Sequence, residues 1–324
     1  MELIRGIHNI KPRHRGCVLT IGNFDGVHQG HHAVLARLQE KAAQLGLPAC
    51  VMLFEPQPLE LFAGAAAPAR LSRLREKYEA LKGMQIDRML CVRFNHRFAE
   101  QSATTFIEQL LVEKLGVHYL VVGDDFRFGK GREGDFHLLE EAGRRFGFEV
   151  ISTQSFQLSR QRVSSTLVRE ALAAGRMAEV ELMLGRPYTI SGRVAHGEKL
   201  GRTIGFPTAN LALKRQVIPV GGVFAVEVIC SGKTFPGVAN VGVRPTLSGT
   251  QARLEVHLFD FSGDLYGQQV KVLLRHKLRE EQKFASFTAL KEQIERDALA
   301  ARAWFGLPQF HLPSTLLEKK GTQD

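Results

Sequence analysis

The chain has 324 residues, enough for about two domains of ordinary size. Its 44% hydrophobic and 23% charged content is that of a globular protein, and no apolar run nears the roughly 18 residues of a membrane helix. A net charge of +10 attracts polyanions, but the Lys and Arg residues are dispersed, so charge alone leaves nucleic acid and small anionic substrates both open.

Apolar β-type runs and helical runs alternate through the first half. Residues 18–21 are expected as a strand, 31–45 as a helix stopped by Gly46 and Pro48, and 50–54 as a strand. Helices over 71–81, 106–115 and 136–146 then alternate with strands over 88–92, 119–122 and 148–152. Such alternation implies βαβ crossovers and a parallel sheet, with ligands bound beyond the carboxyl ends of strands. Cys50 and Cys91 lie inside these apolar runs, and none of the four cysteines pairs as C-x-x-C, so buried free thiols are expected. Residues 1–11 lack the apolar core of a secretion signal, which makes the cytoplasm the expected compartment.

The turn after the first of these strands reads GNFDGVHQGHH, residues 22–32. A helix starting near His31 offers unpaired N–H groups and a positive dipole end to a phosphate. Gly26 and Gly30 let the backbone approach. His28 and His31 then donate to non-bridging phosphate oxygens, which matters most as charge builds on a pentacoordinate α-phosphorus. A second cluster, Arg162-Val163-Ser164-Ser165-Thr166-Leu167-Val168-Arg169, sets a Ser cap and two arginines at another helix start. Together the two make a triphosphate clamp. Residues 129–134 match G-x-G-x-x-G, but five residues separate them from the strand, so they read as a substrate-side loop and not a dinucleotide fingerprint.

Helical signal fades after Gly185-Arg186-Pro187, which places a domain boundary between residues 186 and 187. Short β-type runs follow at 188–194, 223–230, 234–240, 253–259 and 269–274, separated by Gly-rich turns, as in an antiparallel barrel or sandwich. A last helix is expected over 286–305. Within this half, GEKLGRTIGFPTAN (197–210) offers glycines for a phosphate wrap, and Thr208 and Asn210 as neutral oxygen ligands for a Mg²⁺ ion carried by ATP. Glu255, His257 and Phe259 alternate against an apolar strand face. Such a carboxylate is either solvated or able to accept a proton from a substrate hydroxyl.

GNFDGVHQGHH, VGDDFRFGKGREGDF, RVSSTLVR, GRTIGFPTAN, EVHLFDF with DLYG, and the tail LRHKLREEQKFASFTALKEQIERD occur in that order. In this the chain resembles the bacterial bifunctional FAD synthetases, which join an FMN adenylyltransferase to a riboflavin kinase. The resemblance covers nearly the whole chain. It implies a Rossmann-like nucleotidyltransferase domain over residues 1–186 and an antiparallel β-barrel kinase domain with a terminal helix over 187–324. The kinase half would phosphorylate riboflavin with MgATP, and the other half would join AMP from ATP to FMN, giving FAD and pyrophosphate. By the same resemblance, Gly22, Phe24, Asp25, His28, Gly30, His31, Asp125, Arg162, Ser165, Thr166 and Arg169 would bind ATP for adenylyl transfer, with His28 and His31 catalytic. Gly197, Lys199, Gly201, Gly205, Thr208 and Asn210 would bind the kinase's ATP, Glu255 would be its base, and Arg279 would lie near the flavin. Asp124-Asp125 replaces the family's usual Glu-Asn; Asp125 accepts from an adenine amino group but cannot donate as an amide does. Partners are then small molecules, with no nucleic acid and no membrane, and flavin-requiring apoproteins as recipients of the product. The competing readings are another H-x-G-H nucleotidyltransferase, which leaves GFPTAN unexplained, and an RNA-binding protein with a retired site.

Overall fold

The computed structural model describes residues 1–153, 163–195, 206–213, 217–246 and 249–308. Backbone contacts divide them between two units. The first holds Met1–Ala174, Glu179–Arg186 and Arg215–Pro219; the second holds Gly175–Ala178, Pro187–Lys214 and the chain from Val220 onward.

In the first unit β1 (Glu2–Arg5), β2 (Cys17–Ile21), β3 (Ala49–Glu55), β4 (Arg88–Arg93), β5 (Val117–Val122) and β6 (Glu149–Ser152) form a parallel sheet in the order β1-β4-β3-β2-β5-β6. All five residues of β2 are buried, because both sheet faces are covered. Successive residues feed opposite cores. Val18 packs with Leu35 and Leu38 of α1 (Gln29–Leu45) and Leu81 of α3 (Leu74–Gly83). Leu19 packs with Leu110, from a π-helical stretch Phe106–Lys114, and with Leu139 of α6 (Phe136–Phe146). Strand β2 has β3 on one side and β5 on the other, so the order reverses there and a crevice opens beyond their carboxyl ends.

The expected strands of this half are all present. Four elements were not expected: β1, α2 (Pro58–Ala63), α4 (His96–Ala99) and α5 (Ala103–Thr105), the single turn that leads into the π-helix. Each is short, and β1 is an edge strand with only Ile4 buried, so periodicity had little to register. The helix expected from residue 71 begins at Leu74, because the Leu71 and Ser72 N–H groups are bound to the Asp25 carboxylate. Residues 129–134 form a loop bridged between Phe128 and Gly134, and α6 starts only after Asp135, so they do not open a helix. α7 (Ser165–Ala173) and α8 (Met177–Leu184) follow.

In the second unit β7 (Tyr188–Ala195), β8 (Ala209–Ala212), β9 (Gly222–Cys230), β10 (Lys233–Thr246), β11 (Gly249–Leu258) and β12 (Gln269–Arg279) close an antiparallel barrel in the order β10-β11-β8-β7-β12-β9. The terminal helix α9 (Phe287–Trp304), capped by the Ser286 hydroxyl, packs Ala298 and Ala301 on Ala225, Phe259 and Phe206 outside the barrel. The end of β11 is therefore buried on both faces: Leu254 and Val256 point one way, His257 and, just past the strand, Phe259 the other. The sequence pattern had left the second face open to solvent. β8 overlaps the end of the GEKLGRTIGFPTAN motif and was not among the expected strands; four residues are too few to alternate visibly. All four cysteines are free and buried, as expected. Among the described residues, no helix is long and apolar enough to cross a membrane.

Candidate active sites

A cleft of about 850 Å³ opens beyond β2 and β5. Gly22, Phe24, His28, Gly30 and His31 line it, and Asp125, Ser164 and Ser165 face it from two later segments. The N-termini of α1 and α7 both reach it, so two sets of helix N–H groups border one space. The Ser164 hydroxyl caps α7 by accepting from the Leu167 N–H. Gly30 has to be glycine, since a Cβ there would lie 2.8 Å from the Val163 carbonyl oxygen and 3.1 Å from the His28 ring.

The imidazoles of His28 and His31 stack at 3.7 Å. The backbone N–H of His28 donates to Nδ1 of His31 at 3.2 Å, which puts the His31 ring proton on Nε2. His28 is only 5% exposed, and its Nδ1 has no protein partner. Burial pushes His28 down to about 4, with His32, Arg169 and Arg186 adding and Asp25 opposing. Burial holds His31 well below the usual histidine range, helped by His28 and Lys77. Both rings are therefore neutral near pH 7, and each offers an N–H dipole without a formal charge.

Asp25 and Arg169 are bound to each other and to neighbouring backbone. Asp25 is 3% exposed; one carboxylate oxygen accepts from Ser72 N–H, and the other from Leu71 N–H and Arg169 at 2.6 Å. Arg169 also donates to the Ala69 carbonyl, and the Ser165 hydroxyl donates to the Asp25 carbonyl. These groups tie α7 to the histidine loop. Thr166 is exposed on the first turn of α7, and Arg162 lies outside the described residues.

Two residues that sequence reasoning passed over brace the same loop. Lys77 is 0% exposed and donates to the Asn23 carbonyl at 2.8 Å. Its position between Leu74 and Leu81, on the apolar face of α3, was a legible sign. Arg186 donates to the Gly26 and Val27 carbonyls at 2.6 and 3.0 Å. Its place in Gly-Arg-Pro marked it only as a boundary.

In the barrel, Glu255 on β11 stands in register with Asn210 on β8, so the two share a face across the ladder. Thr208, two residues before Asn210, lines a small cavity of about 90 Å³ with Asp264 and Tyr266 of the DLYG segment. Two motifs far apart in sequence thus meet. Glu255 is half-exposed and lies 3.3 Å from Arg253. His257 is buried, and its Nδ1–H donates to the Pro207 carbonyl at 2.9 Å, next to Thr208. Burial lowers its pKa, so it is neutral. Arg279 has a structural partner: its Nε and Nη2 donate to the two carboxylate oxygens of Asp297 at 2.8 and 2.6 Å, fastening α9 to β12. Gly197, Lys199, Gly201 and Gly205 lie outside the described residues.

Residues 10–167 match the FAD synthetase family and residues 184–305 the riboflavin kinase family. A bifunctional riboflavin kinase/FMN adenylyltransferase of Escherichia coli K12 is 60% identical over 309 residues, covering 95% of this chain and 99% of that protein. The Pseudomonas fluorescens protein of the same description is 55% identical over 304 residues, covering 94% and 97%. A solved Streptococcus pneumoniae structure, described as a macrolide-efflux protein, is 29% identical with a TM-score of 0.77 and covers 94% of this chain and 100% of its own. Neither the RNA-binding reading nor that of a different H-x-G-H enzyme finds support among these. The chain belongs to the bifunctional riboflavin kinase/FMN adenylyltransferase family, its FAD synthetase part ahead of its riboflavin kinase part.

Proposed function

We propose that the two sites divide the work of flavin cofactor synthesis along the chain, residues 1–186 adenylylating FMN and residues 187–324 phosphorylating riboflavin. The enzyme makes FMN from riboflavin and ATP, then FAD and pyrophosphate from FMN and a second ATP. The observation that carries the assignment is chemical. Among the described residues, the cleft sets two neutral histidines and two helix N-termini around one space, with Asp125 and Glu40 on its wall, whereas the barrel sets the Glu255 carboxylate in register with the neutral Asn210 amide.

That difference matches the nucleophiles. The FMN phosphate arrives ionised, so its oxygen attacks the α-phosphorus of ATP without giving up a proton. The bond from the α-phosphorus to the bridging oxygen breaks, and pyrophosphate leaves. What the site must supply is alignment and stabilisation of the charge on the non-bridging oxygens. The His28 and His31 N–H groups, the α1 and α7 N-termini and the Ser165 region fill that role, with Gly22, Phe24 and Asp125 on the nucleotide side. The ribityl hydroxyl of riboflavin has a proton to lose. Glu255 accepts it as the oxygen attacks the γ-phosphorus and ADP leaves. Thr208 and Asn210 present hard neutral oxygens to the Mg²⁺ that ATP brings with it. A cation already held by phosphates needs few protein ligands. Among the described residues no group of three or more His, Cys, Asp and Glu is arranged to hold a metal of its own.

The phenylalanines Phe54, Phe94, Phe98 and Phe62 form a string of edge contacts at the ends of β3 and β4, an apolar wall suited to an isoalloxazine ring. Part of the positive charge is turned inward: Lys77 is buried, and Arg169 and Arg186 are bound to backbone and carboxylate oxygens. This supports small anionic substrates over nucleic acid. Free buried thiols support a reducing cytoplasm, with flavin-requiring apoproteins as recipients of FAD. Labelled ATP tests the division: label from the γ-phosphate should appear in FMN, and label from the α-phosphate only in FAD. α-Label in FMN, or no flavin product at all, would refute it.

A further inference from the structure

The 22–32 loop is held in an unfavourable shape in part by two groups that no motif marks. Two of its non-glycine residues, Phe24 and Val27, have φ of 46° and 44°. Both are buried, in a backbone region that costs energy for a residue with a side chain. Such backbone persists only where the surroundings over-determine it, and here every carbonyl from Asn23 to Val27 has a donor. Lys77 serves Asn23, and the Val27 N–H serves Phe24. The Ser165 hydroxyl serves Asp25, and Arg186 serves both Gly26 and Val27. The Nε2–H of His32 adds a second donor to Val27 at 3.1 Å. Two of these donors are full cations, on side chains that lie 54 and about 160 residues along the chain from their acceptors.

We propose that Lys77 and Arg186 are positioning residues for adenylyl transfer: by holding the carbonyls of the strained loop from behind, they fix where His28 and His31 present their N–H groups. The inference rests on the reading of the cleft as the adenylylation site. Three observations meet in it. The braced carbonyls flank the two left-handed residues. The side chains come from α3 and from the residue after Gly185, neither of which lines the cleft. Their length and charge suit a carbonyl cluster that a neutral or shorter side chain would leave partly unpaired.

The same cations weigh on the protonation of the rings. His28 is faced by His31, His32, Asp25, Arg169 and Arg186, and His31 by His28, His32, Lys77 and Arg186. Removing a cation from this set lets the rings take a proton more readily. A brace that merely stabilised the fold would not move the acid limb of one activity and spare the other.

The test uses the full chain carrying Lys77→Met, Arg186→Met, Arg186→Lys or, in parallel, His28→Ala. FAD formation from FMN and ATP and FMN formation from riboflavin and ATP are each followed across pH. The two Met variants should lose about tenfold to a hundredfold in kcat for FAD formation while KM for ATP stays within about threefold. Their acid limb should move to higher pH, and riboflavin phosphorylation should be unchanged. Arg186→Lys, which keeps one charged donor, should recover part of the kcat. If Lys77→Met does not fold, the two Arg186 variants carry the test alone. FAD formation within about twofold of wild type in the Met variants, or parallel losses in kcat, KM and melting temperature with an unmoved pH profile, would overturn the proposal. Should His28→Ala itself leave FAD formation intact, the reading of the cleft fails first, and the two failures are distinguishable.

Discussion

Gly30→Ala isolates positioning from stability in the adenylylation cleft. The added methyl would sit 2.8 Å from the Val163 carbonyl oxygen and 3.1 Å from two atoms of the His28 ring. The first is backbone at the entrance to α7, and the second is a buried ring stacked on His31, so neither yields as the end of a flexible chain does. Restoring ordinary contact requires a separation of about half an ångström between the two halves of the clamp. A misplacement of up to about 1 Å is able to cost on the order of a hundredfold in rate. A loss of about tenfold to a hundredfold in kcat for FAD formation, roughly 1.4–2.7 kcal/mol in the barrier, is therefore expected. Helix propensity works the other way, since Ala is favoured over Gly inside a helix by up to about 1 kcal/mol. The assay is steady-state FAD formation from FMN and MgATP, with riboflavin phosphorylation as internal reference and a thermal melt alongside. Unchanged FAD formation, or a loss explained wholly by a lower melting temperature, would refute the reasoning.

The depressed histidines predict that no histidine limb interrupts FAD formation between about pH 8 and about pH 5, where the FMN phosphate itself titrates at about 6, and that activity falls further as His28 protonates at about 4. The same shift bears on stability. The unfolded chain binds the proton at the ordinary histidine value while the folded chain resists it, so this contribution is intact above about 6.5 and drains away as pH falls toward about 4, readable in denaturant melts across that window. His257→Ala should lower riboflavin phosphorylation about tenfold and leave FMN adenylylation alone, with His257→Asn, able to donate to Pro207, in between; equal activity of all three forms would count against it. Asp297→Ala should destabilise the barrel by about 2 kcal/mol, because it leaves Arg279 without its bidentate partner, and a melting temperature equal to wild type would contradict this.

Much of this was legible because strong local signals coincide with the fold. Strands β2 to β5 carry mostly apolar, mostly buried runs, α1 ends at a left-handed Gly46, and α9 begins at a serine cap. The H-x-G-H turn falls at the strand order's reversal, so its place in a cleft followed from the alternation of elements alone. What escaped was tertiary. Lys77 and Arg186 are remote in sequence from the carbonyls they hold, and their function exists only once the chain is folded. Nor did the motif that holds Asp25 show that its carboxylate is bound to Leu71, Ser72 and Arg169, all remote in sequence. His257 alternates with Glu255 on a face that looked solvated until α9 and Phe206 covered part of it. Arg279, carried over from a family tail, is bound to Asp297 on a helix whose docking no strand pattern encodes.

The central claim is that two chemically different sites work independently in one chain. Its most direct test is chromatography of the flavins made by His28→Ala and Glu255→Ala with MgATP, supplied first with riboflavin and then with FMN. His28→Ala should convert riboflavin to FMN and stop there. Glu255→Ala should leave riboflavin untouched yet turn added FMN into FAD. Loss of both conversions in each variant, or FAD formation surviving in His28→Ala, would contradict the account.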